Sequence, residues 1–278
     1  MDNQLDNKGL DDSVAQTLFI PLYMKSQQSR RKDAFFSDPV ACTLIDKLDY
    51  DFSFFKNSQR SAIGCAIRAR FFDAKVVEFV ARHDNTVIVN LGCGLDARYQ
   101  RVKDRLKYTP PFYHLDLPEV ITLREQYISP VSEDIAIKGS LFDSEWMDTL
   151  QQTHPDARFM FTIEGVLLYF DKTEVQRVIT ELATRFSGCE ILFDASNQWM
   201  CKNSHRHDTL KHTGARFKLA LDDPMEIEQW CEKLKVVNTT YYNDFEEWKQ
   251  AGLFTYYLMK ISRTLKTSSY IVHCRALA

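Results

Sequence analysis

Two glycines and an aspartate are spaced as they are in proteins that bind a ribose-containing cofactor. Gly92 and Gly94 belong to the run G-C-G-L-D-A, which satisfies a G-x-G-x-x-A pattern. Asp116 follows about 20 residues further on, where such proteins carry the acid that accepts hydrogen bonds from the ribose hydroxyls. NAD and S-adenosylmethionine both contain such a ribose, so this pattern leaves both cofactors open.

The elements around these residues indicate the edge of a parallel sheet. Residues 86–91 form an almost unbroken apolar run, typical of a strand buried on both faces. Glycines directly after that strand permit a turn with positive φ and leave no Cβ between the backbone and a ligand. Leu95, Tyr99 and Val102 recur at helical spacing, so a helix of about two turns should follow. Asp116 ends a second strand-like run, which brings its carboxylate beside the glycine loop.

The rest of the chain alternates strand-like and helix-like segments. Strands are predicted at 111–116, 134–138, 158–163 and 189–195, and helices at 119–127, 144–152 and 172–186. This alternation favours right-handed βαβ crossovers and a parallel sheet. Towards the C-terminus, a helix is predicted over 224–234 and the final strands over 236–242 and 270–275.

The segments before the first strand are predicted to form a helical cap over the ligand edge of the sheet. A helix-like pattern begins near Val14 and is interrupted at Pro21. A second helix should begin at Asp38-Pro39, because Asp is a favoured N-cap and proline fits the first turn. A longer helix is predicted over 60–82, where apolar residues form one stripe.

We interpret the 278 residues as one domain, because no linker, repeat or low-complexity segment divides them. Within it we expect a helical cap (1–59), a cofactor-binding core (60–196), an insertion into the cap after the fifth strand (197–235) and the final strands (236–278).

Composition excludes several classes of protein. The chain is 45% hydrophobic and carries 35 basic against 38 acidic residues, a net charge of −3, so neither nucleic acid nor a membrane is expected as a partner. No apolar run reaches the roughly 18 residues of a membrane span, and the polar, acidic N-terminus is unlike a secretory signal. Seven cysteines without C-x-x-C spacing indicate reduced thiols and a cytoplasmic location. The sequence carries no signal for an oligomeric state.

A histidine-rich segment raises the question of a metal. His205, His207 and His212 lie close together, but the segment lacks cysteine pairs and the helical spacing of common zinc sites. We therefore predict no metal, and expect a polar loop near the entrance to the ligand site. The basic cluster at 30–32 is expected to be a solvated helix face, since no aromatic residues interleave with it as in nucleic-acid sites.

Five motifs occur in a fixed order along the chain. They are R-x-R-x-x-D from Arg68, V-N-L-G-C-G-L-D-A-R, H-L-D-L-P, G-S-L-F-D and I-E-G-V-L-L-Y-F. Together they resemble the leucine carboxyl methyltransferase family, including its bacterial O-methyltransferases of polyketide type, over roughly residues 38–278. The resemblance implies an α/β fold, the class I methyltransferase (Rossmann-like) domain with a seven-stranded sheet whose last strand is antiparallel. It implies S-adenosyl-L-methionine as the cofactor.

The resemblance also implies roles for individual residues. Arg68 should hold the cofactor carboxylate, and the loop at Gly92 and Gly94 should lie beneath its amino-acid portion. Asp116 should take the ribose hydroxyls, and Glu164 should face the methionine end. Leu141 should line the adenine pocket together with Ser140, which stands where eukaryotic members tend to carry Asp.

The residue types fit that cofactor. Its methionyl end is a zwitterion, for which the planar fork of Arg68 matches a carboxylate and Glu164 can accept from an ammonium. A dinucleotide would instead need backbone amides free for its pyrophosphate, and Asp96 would be an unfavourable neighbour for phosphate. Arg70, two residues after Arg68, is expected to be a surface charge.

The sequence therefore predicts an S-adenosylmethionine-dependent O-methyltransferase acting on a carboxylate or hydroxyl of a small molecule or a peptide terminus. A carboxylate acceptor needs no general base, whereas a hydroxyl needs one, for which Tyr169 or a histidine of 205–212 are candidates. The alternatives are an NAD-dependent oxidoreductase and a protein that binds the cofactor without turnover.

Overall fold

Seven strands form one sheet in the order β3-β2-β1-β4-β5-β7-β6 in the computed structural model, which describes residues 17–129 and 131–277. The strands are β1 Thr86–Leu91, β2 Phe112–Asp116, β3 Asp134–Lys138, β4 Arg158–Ile163, β5 Glu190–Ser196, β6 Leu234–Tyr241 and β7 Ser269–Ala276. β1 to β5 pair in parallel, and β7 runs antiparallel to both β5 and β6. This sheet confirms the predicted class I methyltransferase fold, with its last strand antiparallel.

Helices connect and cover the strands. They are α1 Phe19–Ser29, α2 Pro39–Lys47, α3 Gln59–Arg82, α4 Arg98–Val102, α5 Pro118–Tyr127, α6 Glu145–Thr153, α7 Lys172–Arg185, α8 Gln198–Asn203, α9 Leu253–Ile261 and α10 Arg263–Lys266. Short 3-10 turns join several of them, including one over Ser204–Arg206 and one over Leu210–His212. None of the helices in the described ranges is long and apolar enough to cross a membrane.

β1 is buried along its whole length, as its unbroken apolar run predicts. Successive side chains of a strand point to opposite faces of the sheet, so Val87 and Val89 enter one core and Ile88 the other. On the first face they pack with α6 and α7, and on the second with Phe72 and Phe79 of α3. Helices therefore cover both faces, and ligand access is left at the carboxyl ends of the parallel strands.

The N-terminal helices cover the glycine loop. Phe19 and Leu22 of α1 pack in one cluster with Leu44 of α2 and with Leu95 and Ala97, which follow the glycines. Asp38 caps α2 as predicted, because its carboxylate accepts a hydrogen bond from the N–H of Ala41 at 2.9 Å. The cap thus closes the loop side of the ligand edge.

Two predicted features of the secondary structure are wrong. Pro21 does not interrupt a helix: α1 begins at Phe19, and Pro21 lies in its first turn, where no intrahelical N–H bond is needed. The earlier start near Val14 lies outside the described residues. The helix predicted over 224–234 is only a 3-10 turn over Pro224–Gln229, because β6 already begins at Leu234 and pairs with Ala276.

Candidate functional site

A cavity of about 790 Å³ opens at the carboxyl ends of β1, β2, β4 and β5. Its size falls within the roughly 300–1,000 Å³ of small-molecule sites. All eight residues predicted from the sequence line this one cavity: Arg68, Gly92, Gly94, Asp116, Ser140, Leu141, Glu164 and Tyr169. The topology therefore gathers residues that are up to about a hundred positions apart in the chain, as expected at the switch point of a parallel sheet.

The glycine loop adopts a backbone that side chains would obstruct. Gly92 has φ +63°, and a Cβ built on it would lie 2.4 Å from Cγ2 of Val166. Gly94 has φ +51°, and its N–H donates to Oδ2 of Asp116 at 2.7 Å. Glycine at both positions lets the loop approach the cavity closely and ties it to the end of β2.

Asp116 is held by the backbone on both of its oxygens. In addition to the bond from Gly94, Oδ1 accepts from the N–H of Leu117 at 2.8 Å. Burial raises the pKa of Asp116, although these two N–H donors act in the opposite direction. Each carboxylate oxygen has two lone pairs, so both can still accept a hydrogen bond from a ligand hydroxyl.

Ser140 and Leu141 lie at the next strand end, after β3. The Ser140 hydroxyl accepts from the N–H of Phe142 at 3.2 Å, and its own N–H donates to Asp143 at 3.0 Å. Leu141 is buried and lines the cavity as an apolar surface. The predicted adenine wall is thus built mainly from a tight turn and one apolar side chain.

Arg68 reaches the cavity from α3 and is paired there with two carboxylates. Nε lies 3.0 Å from Oε1 of Glu164, and Nη1 lies 2.8 Å from Oδ2 of Asp194. The guanidinium lies against Gly165, where φ is +71° and a Cβ would come within 2.7 Å of Nη2. Burial raises the pKa of Asp194, and Arg68 opposes that rise. Arg70 is not part of the cavity; it pairs with Glu247 at the surface, as expected.

Glu164 belongs to a larger set of buried and partly buried charges, which we call the charge cluster. Its members are Lys25, Arg68, Arg98, Arg101, Asp38, Asp73, Asp96, Glu164 and Asp194. Fully ionised, its four cations and five carboxylates leave one net negative charge. Although burial disfavours ionisation, Arg101, Lys25 and Arg98 hold the pKa of Asp96 well below its usual range.

Several members of the charge cluster are not among the residues predicted from the sequence. One of them is Lys25, which is 2% exposed, lines the cavity and pairs with Asp96. Arg98 is also buried, with Nη1 2.7 Å from Oδ1 of Asn90 and with Nη2 on Glu164. A signal for Lys25 existed, because it lies three residues after buried Leu22, on the inward face of α1.

Tyr169 also lines the cavity, beside Phe217 and within electrostatic range of Arg68 and Asp194. Its ring centroid lies 5.6 Å from that of Phe217. Burial raises the pKa of Tyr169 to about 12, so its hydroxyl remains protonated at neutral pH. Tyr169 therefore lies in the cavity, as predicted, but its protonated hydroxyl cannot accept a proton from an acceptor at neutral pH.

Two histidines of the 205–212 segment differ in their position. His207 lines the cavity, whereas His205 is exposed and its Nδ1 lies 3.1 Å from the carbonyl oxygen of Lys202. Within the described ranges, no group of three His, Cys, Asp or Glu residues could hold a metal ion.

The fold and the site together define a class of protein. A glycine loop tied to an acid at the end of β2, with paired charges beyond it, is the arrangement expected of a class I methyltransferase. In agreement, the family model for leucine carboxyl methyltransferase matches residues 22–183, more than half of the chain. The chain belongs to the leucine carboxyl methyltransferase family. It is an S-adenosylmethionine-dependent O-methyltransferase, and the NAD-dependent oxidoreductase alternative is excluded.

Individual relatives agree with this assignment. Over 249 residues the chain is 24% identical to the tetracenomycin polyketide synthesis O-methyltransferase TcmP of Streptomyces glaucescens, covering 86% of this chain and 90% of that one. A putative methyltransferase of Thermobifida fusca YX has a similar structure, with a TM-score of 0.58, 16% identity and coverage of 97% and 98%. A DUF574 family protein of Streptomyces avermitilis MA-4680 gives a TM-score of 0.61 at 11% identity, covering 94% and 97%. These two structures support the fold.

Proposed function

We propose that the cavity binds S-adenosylmethionine with its ribose on Asp116, its adenine against Leu141 and Ser140, and its methionyl end at the charge cluster. The charged side chains of the cluster match the charged groups at that end of the cofactor. Arg68 and Lys25 offer cations to the carboxylate, while Glu164 and Asp194 offer acceptors to the ammonium. The cofactor carries one net positive charge, which the net negative charge of the fully ionised cluster balances.

The cofactor supplies an activated methyl group on a sulfonium. The residues of this chain contribute alignment and the exclusion of water. The glycine loop and Asp116 fix the nucleoside end, and the charge cluster fixes the methionyl end. A cofactor held at both ends would leave the part of the cavity lined by Tyr169 and Phe217 for the acceptor.

We propose further that the acceptor is an oxygen of a bulky, largely apolar small molecule. The observation that carries this proposal is the mouth of the cavity, where Trp199, Phe254 and Leu258 line the opening and remain 43%, 82% and 39% exposed. Apolar side chains exposed together at a cavity mouth are typical of a ligand-binding surface. The name of TcmP, an O-methyltransferase of polyketide synthesis, is in line with such an acceptor.

We also propose that the protein acts in the cytoplasm. All seven cysteines are free thiols in the structure, which suits a reducing compartment.

The cofactor assignment predicts a selective thermal shift. S-adenosylhomocysteine should raise the melting temperature, because a ligand at 100 times its dissociation constant adds about 2.7 kcal/mol of stability. NAD and NADP should leave the melting temperature unchanged. A shift with NAD and none with S-adenosylhomocysteine would contradict the assignment.

The same preparation tests the acceptor. With S-adenosylmethionine labelled in its methyl group, label should pass to polycyclic aromatic compounds that carry a hydroxyl or a carboxyl group, and not to a peptide that ends in leucine. Transfer to the peptide alone would overturn the proposed acceptor class while leaving the cofactor site intact.

A further inference from the structure

His207 lines the same cavity and is not a member of the charge cluster. It follows the turn Ser204–Arg206 in the segment between β5 and β6. Its ring centroid is 6.1 Å from that of Phe217, which in turn packs against Tyr169. His207 therefore borders the space proposed for the acceptor.

The polar contacts of His207 fix one ring nitrogen and leave the other open. Nδ1 lies 3.0 Å from Oγ1 of Thr209 and 3.4 Å from Oδ1 of Asp208. A carboxylate can only accept, so Asp208 favours the tautomer with its proton on Nδ1. Asp208 is itself held by the hydroxyl of Ser61 on α3. Nε2 has no hydrogen-bond partner among the described residues, and this atom is not fully buried.

The charge state of His207 suits proton transfer. Burial lowers the pKa of His207 below its ordinary value of 6.5, Asp208 opposes that change, and Arg68 on α3 adds to it. The imidazole is therefore neutral at pH 7 and carries a lone pair on Nε2. Tyr169, the other candidate, keeps its proton because its pKa is raised to about 12.

We propose that His207 is a general base for a hydroxyl acceptor, so that this enzyme forms methyl ethers of a phenolic or enolic oxygen. This inference rests on the proposed function, whose acceptor class it narrows. A carboxylate acceptor is ionised at neutral pH and needs no base, whereas a hydroxyl must lose its proton as its oxygen attacks.

The proposed methyl transfer involves the acceptor, the cofactor and His207. The acceptor oxygen forms a bond to the methyl carbon, the bond from that carbon to sulfur breaks, and its electron pair stays on sulfur. The acceptor proton passes to Nε2 of His207. Asp208, beside Nδ1, stabilises the imidazolium until it releases the proton to water.

The test uses two pairs of probe acceptors and methyl-labelled S-adenosylmethionine. The phenols are 2-naphthol and 2-hydroxyanthraquinone, and the acids are 2-naphthoic acid and anthraquinone-2-carboxylic acid. His207→Gln should lower kcat on the phenols by about 10²–10⁴-fold, the usual contribution of a general base. The rate of the wild type on phenols should rise with pH through an apparent pKa below about 6.5, and this limb should vanish in the variant.

Controls separate a chemical role from a structural one. His205→Gln changes an exposed histidine of the same segment and should leave the rates unchanged. His207→Gln should keep the thermal shift with S-adenosylhomocysteine, and added imidazole should restore phenol methylation by His207→Ala. Undiminished phenol rates in His207→Gln, or transfer to the acids alone, would overturn the inference and leave the proposed function standing. Transfer to none of the four probes would overturn the proposed acceptor class and the inference with it.

Discussion

Arg68→Ala should weaken the binding of S-adenosylhomocysteine by roughly ten- to a hundredfold and also destabilise the fold. A hydrogen bond to a charged group is worth about 1.5–3 kcal/mol, which is the expected loss of affinity if Arg68 holds the ligand carboxylate. The stability loss follows because Asp194, 2.8 Å from Nη1, is left buried without its cation. Removing one partner of a buried pair costs about 3–5 kcal/mol. Calorimetric titration measures the first effect and urea unfolding the second.

Arg70→Ala is the matched control, because it removes the same side chain two residues away on α3. The Arg70 side chain is 38% exposed and pairs with Glu247, so the loss of stability should stay within about 1 kcal/mol, as for other surface pairs. Its affinity for S-adenosylhomocysteine should be that of the wild type. A larger loss of affinity in Arg70→Ala than in Arg68→Ala would contradict the assignment of Arg68.

Asp116→Ala should weaken binding of the cofactor by about 1.5–3 kcal/mol, and Asp116→Asn by less. Asparagine keeps the size and one acceptor oxygen, but replaces the other with a donor and loses the charge. Asp116 also accepts from Gly94 and Leu117, so alanine releases the glycine loop as well. A loss of affinity by itself therefore does not separate ribose recognition from support of the loop.

A thermodynamic cycle that combines a protein variant with a modified ligand separates these two roles of Asp116. A 2′,3′-dideoxy analogue of S-adenosylhomocysteine is titrated against the wild type and against Asp116→Ala. If Asp116 holds the ribose hydroxyls, the analogue should bind the wild type more weakly than the parent ligand but lose little further affinity in the variant. Additive, independent losses would show that Asp116 acts only through the glycine loop.

Features that depend on nearby residues could be predicted from the sequence. The strand over 86–91, the turn at Gly92 and Gly94, and the acid at the end of β2 are defined by local apolar runs and glycine chemistry. The parallel pairing of β1 to β5 followed from the alternation of strands and helices. The family resemblance then named Arg68, Ser140, Leu141 and Glu164, and the structure brings all four to the same cavity.

Features that depend on distant partners could not be predicted in this way. Arg68 and Asp194 form a hydrogen bond although they are 126 residues apart in the chain. The sequence around either residue gives no indication of the other. The prediction of a helix over 224–234 was wrong for the same reason, because pairing of Leu234 with β7 overrides the helical pattern. The inward position of Lys25 on α1 could be inferred from its spacing from Leu22, but its pairing with Asp96, which lies 71 positions away, could not.

The most direct test of the proposed cofactor site is a crystal structure of the protein with S-adenosylhomocysteine. We expect ribose hydroxyls within about 2.5–3.0 Å of the carboxylate oxygens of Asp116, with the ligand carboxylate on Arg68 or Lys25 and the ammonium on Glu164 or Asp194. A ribose bound elsewhere, with Asp116 contacting only Gly94 and Leu117, would contradict it.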